Sequence, residues 1–304
     1  MLRQYLALIR LPNVFTAPTN VLAGYFSSVA LEDANGTHLG ALMISSALLY
    51  VAGIILNDYF DIEVDKKERP SRPLASGMIK KEHAMVVALA ALIAANTISI
   101  VAVSLESFAI SVALSGVIVA YNYRLKRSAV TGSLSMGTAR FLNVILGASP
   151  ALGAIIFLNS IGTGPLNLWT VASAAASLFA YVIAIMMLSR REVIGSGRQD
   201  HVVAFSIVFA VIVSMGILGV ILDFNLAFLI NLSIFAAAMI FTFKHYLART
   251  SSAEFLQKTI RNMVVSIVIL DSVFVSGTAG LVYGMVTLLF ILPAVVLAKK
   301  LYVT

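Results

Sequence analysis

Apolar stretches long enough to cross a bilayer recur along this chain, and the basic residues between them fall in alternate loops. A membrane-crossing helix needs about 20 mostly apolar residues. Candidate spans lie at 11–31, 39–60, 84–104, 106–122, 131–158, 167–188, 201–222, 225–244, 260–277 and 281–298. Only 12% of the 304 residues are charged, against roughly 25% in a soluble domain. A larger soluble core cannot absorb that difference, because single cores stop growing near this length. Lipid must therefore solvate much of the surface. The expected fold class is all-α: a polytopic transmembrane helical bundle of nine to ten segments, forming one integral-membrane domain over residues 1–304. Gly277, Gly280 and Gly284 mark the tenth segment as a place for a kink or a re-entrant piece.

The charges set the topology. Lys66, Lys67, Arg69, Arg72, Lys80 and Lys81 lie between the second and third spans. Arg124, Lys126 and Arg127 follow the fourth, Arg190, Arg191 and Arg198 the sixth, and Lys244, Arg249, Lys258 and Arg261 the eighth. The intervening loops hold Glu32, Asp33, Glu106 and Asp223, with neither Lys nor Arg. By the positive-inside rule the N-terminus and the basic loops face the cytosol of a cell membrane. An even span count also returns Lys299 and Lys300 to that side. This topology accounts for the net charge of +7, so no nucleic-acid partner is expected. The absence of cysteine excludes disulfides, thiolate metal sites and thiol nucleophiles. Arg3 and Arg10 precede an apolar run, yet no small-residue cleavage site follows it, so no cleavable signal is expected.

The second span runs into Asn57-Asp58-Tyr59-Phe60-Asp61-Ile62-Glu63-Val64-Asp65-Lys66-Lys67-Glu68-Arg69-Pro70. On a continuous helix Asp58, Asp61 and Asp65 share an arc of roughly 60°, with Glu63 pointing elsewhere. Carboxylates gathered on one face repel each other, and a membrane-side position adds a desolvation cost. A hard cation removes both penalties. Mg²⁺ favours one or two carboxylates completed by phosphate oxygens. The plain alternative is a solvated, acidic helix end. Against it, Pro70 and Pro73 stop the helix and present Arg69 and Arg72 just beyond the acids. Carboxylates beside guanidinium forks make a metal–diphosphate clamp.

The string Asn57-Asp58-x-x-Asp61-x-x-x-Asp65, followed by Arg69-Pro70-x-Arg72-Pro73-Leu74 and Ser76-Gly77, resembles the first aspartate-rich motif of the UbiA superfamily of intramembrane prenyltransferases. The resemblance extends to the helical topology. It implies that the carboxylates hold Mg²⁺ on a prenyl diphosphate, that diphosphate departs to leave an allylic cation, and that an aromatic or other small lipid-precursor acceptor captures it. Asp58, Asp61, Asp65 and Asn57 are then catalytic. Tyr121-Asn122-Tyr123-Arg124-Leu125-Lys126-Arg127 is similar to the family's tyrosine-then-lysine element, with Lys126 meeting the diphosphate and Tyr121 competing with Tyr123 for the tyrosine role. An aromatic belt with positive-inside arginines is the alternative for that segment.

Arg140 is the single Lys or Arg in the interior of an apolar span, Lys244 and Arg261 standing at span ends. At the bilayer centre it costs about 2.5–3.5 kcal/mol or more, so it should face a cavity and a partner. It is assigned to the diphosphate, with snorkelling from a shallow position as the alternative. Asn143, one turn on, shares its face and, with Asn13 and Tyr121, is a candidate to orient the acceptor. Asn13 and Asn20 share a face of the first span, and either could instead bridge helices. Asp271 is a lone carboxylate in the ninth span, able to pair with Arg140 or to remain protonated, and no specific role is assigned to it. His38, His83, His201 and His245 are scattered, without metal-ligand spacing.

Where ordinary members of the superfamily carry a second aspartate string, this chain reads Ser189-Arg190-Arg191-Glu192-Val193-Ile194-Gly195-Ser196-Gly197-Arg198-Gln199-Asp200. Arg191 is left as a diphosphate contact and Glu192 as an acceptor-orienting residue or a further metal ligand. The segment is similar to the divergent, UbiA-like EboC branch. The depleted string keeps a second reading open: a protein that binds or transports a prenyl diphosphate or isoprenoid lipid without transferring it.

Overall fold

The computed structural model describes residues 2–160, 167–190, 198–244 and 253–301. Fourteen α-helices are described: α1 (Leu2–Leu8), α2 (Leu11–Val14), α3 (Thr16–Phe26), α4 (Gly36–Phe60), α5 (Ile62–Glu68), α6 (Lys81–Ala102), α7 (Leu105–Tyr123), α8 (Ala129–Ser160), α9 (Asn167–Ser189), α10 (Arg198–Ile221), α11 (Ala227–Phe243), α12 (Ala253–Ala279), α13 (Leu281–Leu288) and α14 (Ile291–Leu301). The chain is thus an all-helical, multi-pass membrane protein, as its hydropathy requires. Among the described residues, α4, α6, α7, α9, α10 and α12 are long and apolar enough to cross a membrane, and α11 and α13–α14 are shorter apolar pieces. Helices occupy every expected span, and the two outermost ones are broken.

Both breaks have local causes. Arg10 adopts a left-handed conformation at φ 45°, and Pro12 sits in the first turn of α2, so the N-terminal helix cannot run straight into α3. At the other end Gly280, at φ 89°, separates α12 from α13, a backbone state open to glycine at little cost. The expected kink lies there, and α13 folds back onto α12. The start of α4 is fixed more conventionally. The Asn35 side chain accepts from the N–H groups of Thr37 and His38 at 2.9 and 3.1 Å, satisfying donors that a helix start leaves free.

The centre of the bundle is α3, which is buried along its whole length, with α4, α8 and α12 packed around it. A Cβ at Gly24 would stand 1.8 Å from the Val144 carbonyl oxygen, and one at Gly147 2.2 Å from that of Val21. α3 and α8 therefore touch backbone to backbone, the close approach that small residues permit in membranes. α6 and α10 instead turn Val86, Ile93, Val101, Phe209 and Val220 outward, where lipid is the natural solvent. α7 and α8 enclose a groove of about 420 Å³ lined by Ala113, Gly116, Val117, Ala120, Leu125, Ser135 and Thr138.

Candidate active site

The acidic string does not lie on one uninterrupted helix. α4 ends at Phe60, Asp61 stands between helices at φ −97° and ψ 6°, and α5 resumes at Ile62. The N–H of Asp61 still bonds to Asn57 and that of Asp65 to Asp61, so Asp58 and Asp65 remain on a common side. Both reach one nitrogen: Arg72 Nη1 lies 3.3 Å from Asp58 Oδ1 and 2.7 Å from Asp65 Oδ2. Asp61 diverges to Lys126, with Nζ 2.7 Å from Oδ2. Asp58 is 3% exposed and Asp61 31%, so the first is a buried carboxylate and the second sits at the rim. Glu63 faces solvent as expected and pairs with Lys66 at 2.7 Å. The hydrogen bond from that ammonium holds its carboxyl below the usual carboxylate range.

Each base arrives on a different element. Helix α5 stops at Glu68, and the turns after Pro70 close through hydrogen bonds from Arg72 N to Arg69 O and from Ile79 N to Pro73 O. Leu74 and Ile79 are buried beneath them, and this anchors Arg72 over the acids. Lys126 lies in a short 3₁₀ turn, Leu125–Arg127. That turn is set beside α4 because Asn122 donates to Gly53 O at 3.1 Å, where a glycine lets α7 approach. Lys126 also donates to Asn57 through its side-chain oxygen at 3.2 Å. Arg190, at the end of α9, donates to Lys126 O at 3.2 Å and to Ser128 O, clamping the same turn.

Arg10, at the left-handed break, places Nη2 2.8 Å from Asp58 Oδ1. Neither it nor Arg190 is among the residues assigned from sequence. The signal for Arg10 was its position beside Leu11-Pro12-Asn13 on the cytosolic side of the first span. For Arg190 it was its place at the head of the altered string. Arg191 and Glu192 lie outside the described residues.

Of the aromatic pair, Tyr123 is exposed and packs edge-on against Phe60 at 5.8 Å. Tyr121 is half-buried, within electrostatic reach of Asp61, Arg190 and Arg10. Asn13 is half-buried in α2, and its carbonyl accepts from Thr16 Oγ1 at 2.8 Å.

Arg140 is not brought to the acids. Its Nη1 donates to Asn20 Oδ1 at 2.8 Å and Thr16 O at 3.2 Å, and Nη2 to Thr16 Oγ1 at 3.1 Å. Its guanidinium lies over Tyr50, 5.1 Å from the ring centroid. Tyr50 precedes Asp58 by eight residues on α4, roughly 12 Å deeper along the axis. Asn143 Nδ2 donates to Ala17 O at 2.9 Å and to Asn20 Oδ1 at 3.2 Å. Asp271 Oδ2 accepts from Thr19 Oγ1 and Asn20 Nδ2, each at 2.7 Å. Asn20 thus stands between Arg140 and Asp271, and the two side chains do not touch.

The donor set suits a hard cation. Two carboxylate oxygens already converge on a single positive centre at Arg72, and oxygen donors are what Mg²⁺ prefers. Among the described residues no group of three or more His, Asp or Glu side chains could hold a metal. Bound Mg²⁺ would therefore need ligand oxygens from a substrate beside Asp58 and Asp65.

Known proteins resemble the chain in sequence and in fold. The chain is 27% identical over 203 residues to digeranylgeranylglyceryl phosphate synthase of Saccharolobus solfataricus, covering 66% of this chain and 64% of the relative. It is 32% identical over 148 residues to the synthase of that name from Sulfurisphaera tokodaii, covering 48% and 51%. These matches thus span between half and just under two thirds of the relatives' lengths. The fold is similar to that of a UbiA homologue from Archaeoglobus fulgidus bound to GPP and Mg²⁺, with a TM-score of 0.63 and 13% identity over 94% of this chain and 99% of that one. It is also similar to an apo UbiA homologue from Aeropyrum pernix K1, with a TM-score of 0.67 and 12% identity over 90% and 98%. The UbiA prenyltransferase family profile matches residues 18–263, most of the bundle and all three aspartates, and the chain belongs to that family.

Proposed function

We propose that this chain transfers a prenyl group from a metal-bound isoprenyl diphosphate to a small acceptor at the cytosolic rim of the membrane, with residues 1–304 working as one domain. The observation that carries the reading is the convergence of Asp58 and Asp65 on Arg72. Asp58 and Asp65, with Asp61 at the rim, hold Mg²⁺, which when bound neutralises the diphosphate and makes it a better leaving group. Arg10, Arg69, Arg72 and Lys126 receive diphosphate oxygens, since guanidinium forks match them in shape and charge. Asn57 steers Lys126 through the 3.2 Å hydrogen bond between them. Departure of an anion is an electrostatic task, and no side chain in this scheme forms a covalent bond. Tyr121 and Asn13, on elements flanking the acids, are assigned to orient the acceptor. Asn143 and Arg140 are assigned to the helix interface beneath. The names of the partly matching relatives support an acceptor bearing glycerol phosphate over an aromatic one.

Detergent-purified protein given Mg²⁺, a radiolabelled prenyl diphosphate and a panel of glycerol-phosphate and aromatic acceptors should release diphosphate and form a labelled lipid. Asp58→Asn should lower that rate by about 100-fold or more. If diphosphate binds without ever being released, and wild type and Asp58→Asn are indistinguishable across the panel, the chain is a binding or transport protein and the enzyme reading fails.

A further inference from the structure

Each of the three aspartates of the acidic string is held by a base. Asp58 is bonded by Arg10 at 2.8 Å and Arg72 at 3.3 Å, Asp65 by Arg72 at 2.7 Å, and Asp61 by Lys126 at 2.7 Å. The three acids and three bases balance in charge, and Asp58 and Asp65 are buried, where screening by water and salt is weak. A metal ion arriving alone must strip Arg72 and Arg10 from these acids, leaving several unpaired positive charges together. Diphosphate arriving alone must draw the same bases away, leaving the carboxylates facing it unpaired. Each half-step creates uncompensated charge at a partly buried place, which is costly.

When both arrive together the exchange is nearly neutral. The carboxylates trade their bases for the metal, and the bases trade their carboxylates for phosphate oxygens. No hydrogen-bonding group is stranded. From this geometry we infer that the site selects a preformed metal–diphosphate complex and discriminates against either component alone, with Arg10, Arg72 and Lys126 as the counter-cations that enforce the choice. The inference rests on the reading of the site as a metal–diphosphate clamp. It carries an unusual sign: removing a base should improve binding of the metal by itself.

The test uses the full chain in detergent, Mn²⁺ as a paramagnetic stand-in for Mg²⁺, and labelled inorganic pyrophosphate. Wild type should retain pyrophosphate only when Mn²⁺ is present, and should bind Mn²⁺ alone about ten-fold or more weakly than with pyrophosphate. Arg72→Gln should tighten Mn²⁺-only binding several-fold while weakening retention of Mn²⁺–pyrophosphate by about ten-fold. Arg10→Gln alters a more exposed residue, 26% accessible, and should shift both affinities in the same directions if Arg72→Gln does not fold. Metal-only binding in wild type as tight as binding with pyrophosphate would overturn the inference. So would unchanged or weaker Mn²⁺-only binding in both variants. Failure of wild type to retain Mn²⁺–pyrophosphate at all would overturn the clamp reading itself.

Discussion

Arg140 carries a full charge into the bundle, and among the described residues no carboxylate lies within ion-pair distance of it. Its charge is spread instead over Asn20 and Thr16 of the neighbouring helix, with the Asp271 carboxylate one hydrogen bond further on. Hydrogen bonds to a charged group contribute roughly 1.5–3 kcal/mol each, so this side chain is a strong tie between α3 and α8. Arg140→Met should lower stability by about 3 kcal/mol, allowing for partial repacking. Thermal unfolding in detergent would show it as a clear fall in Tm, and Arg140→Lys should fall between the two. An unchanged Tm for Arg140→Met would mean that the hydrogen bonds of Arg140 do not hold α3 to α8.

At the scale of elements, the contact between α3 and α8 depends on the missing side chains of Gly24 and Gly147. A Cβ at Gly24 would overlap the Val144 carbonyl, and the helices would have to separate. Gly24→Val should therefore cost about 3 kcal/mol or more, at or beyond the upper end of ordinary overpacking. The loss should appear as a lower yield of monodisperse protein and a reduced Tm. Such element-level facts explain what the sequence made visible. The acids, Arg69 and Arg72 lie within fifteen residues of one another, so helical spacing and two prolines were enough to bring them together. Arg10 meets Asp58 across 48 positions, and Arg140 meets Asn20 across 120. Local periodicity carries no information about such pairings. The interruption at Asp61 was hidden for another reason: it preserves the i to i+4 hydrogen bonds on either side, so its composition looks helical. Of the two alternatives open for Asp271, the structure shows no direct pairing with Arg140, because Asn20 stands between them.

The topology of the whole molecule can be tested with unusual economy, because the chain has no cysteine and any introduced thiol is the sole reporter. Ser76, in the turns beyond Arg72, and Asp33, in the loop before α4, are both exposed. In sealed inside-out vesicles Ser76→Cys should react with a membrane-impermeant maleimide, while Asp33→Cys should react only after permeabilisation. Reversal of that pattern would place the acidic site on the opposite face and contradict the charge-based orientation.

The backbone contact at Gly24 and Gly147 also bears on traffic with the bilayer. Two helices touching main chain to main chain leave no slot for a chain of methylenes, so the seam between α3 and α8 is a wall. Whatever greasy molecule reaches the acids from the surrounding lipid has to come through another seam, and α8 offers no doorway on its α3 side.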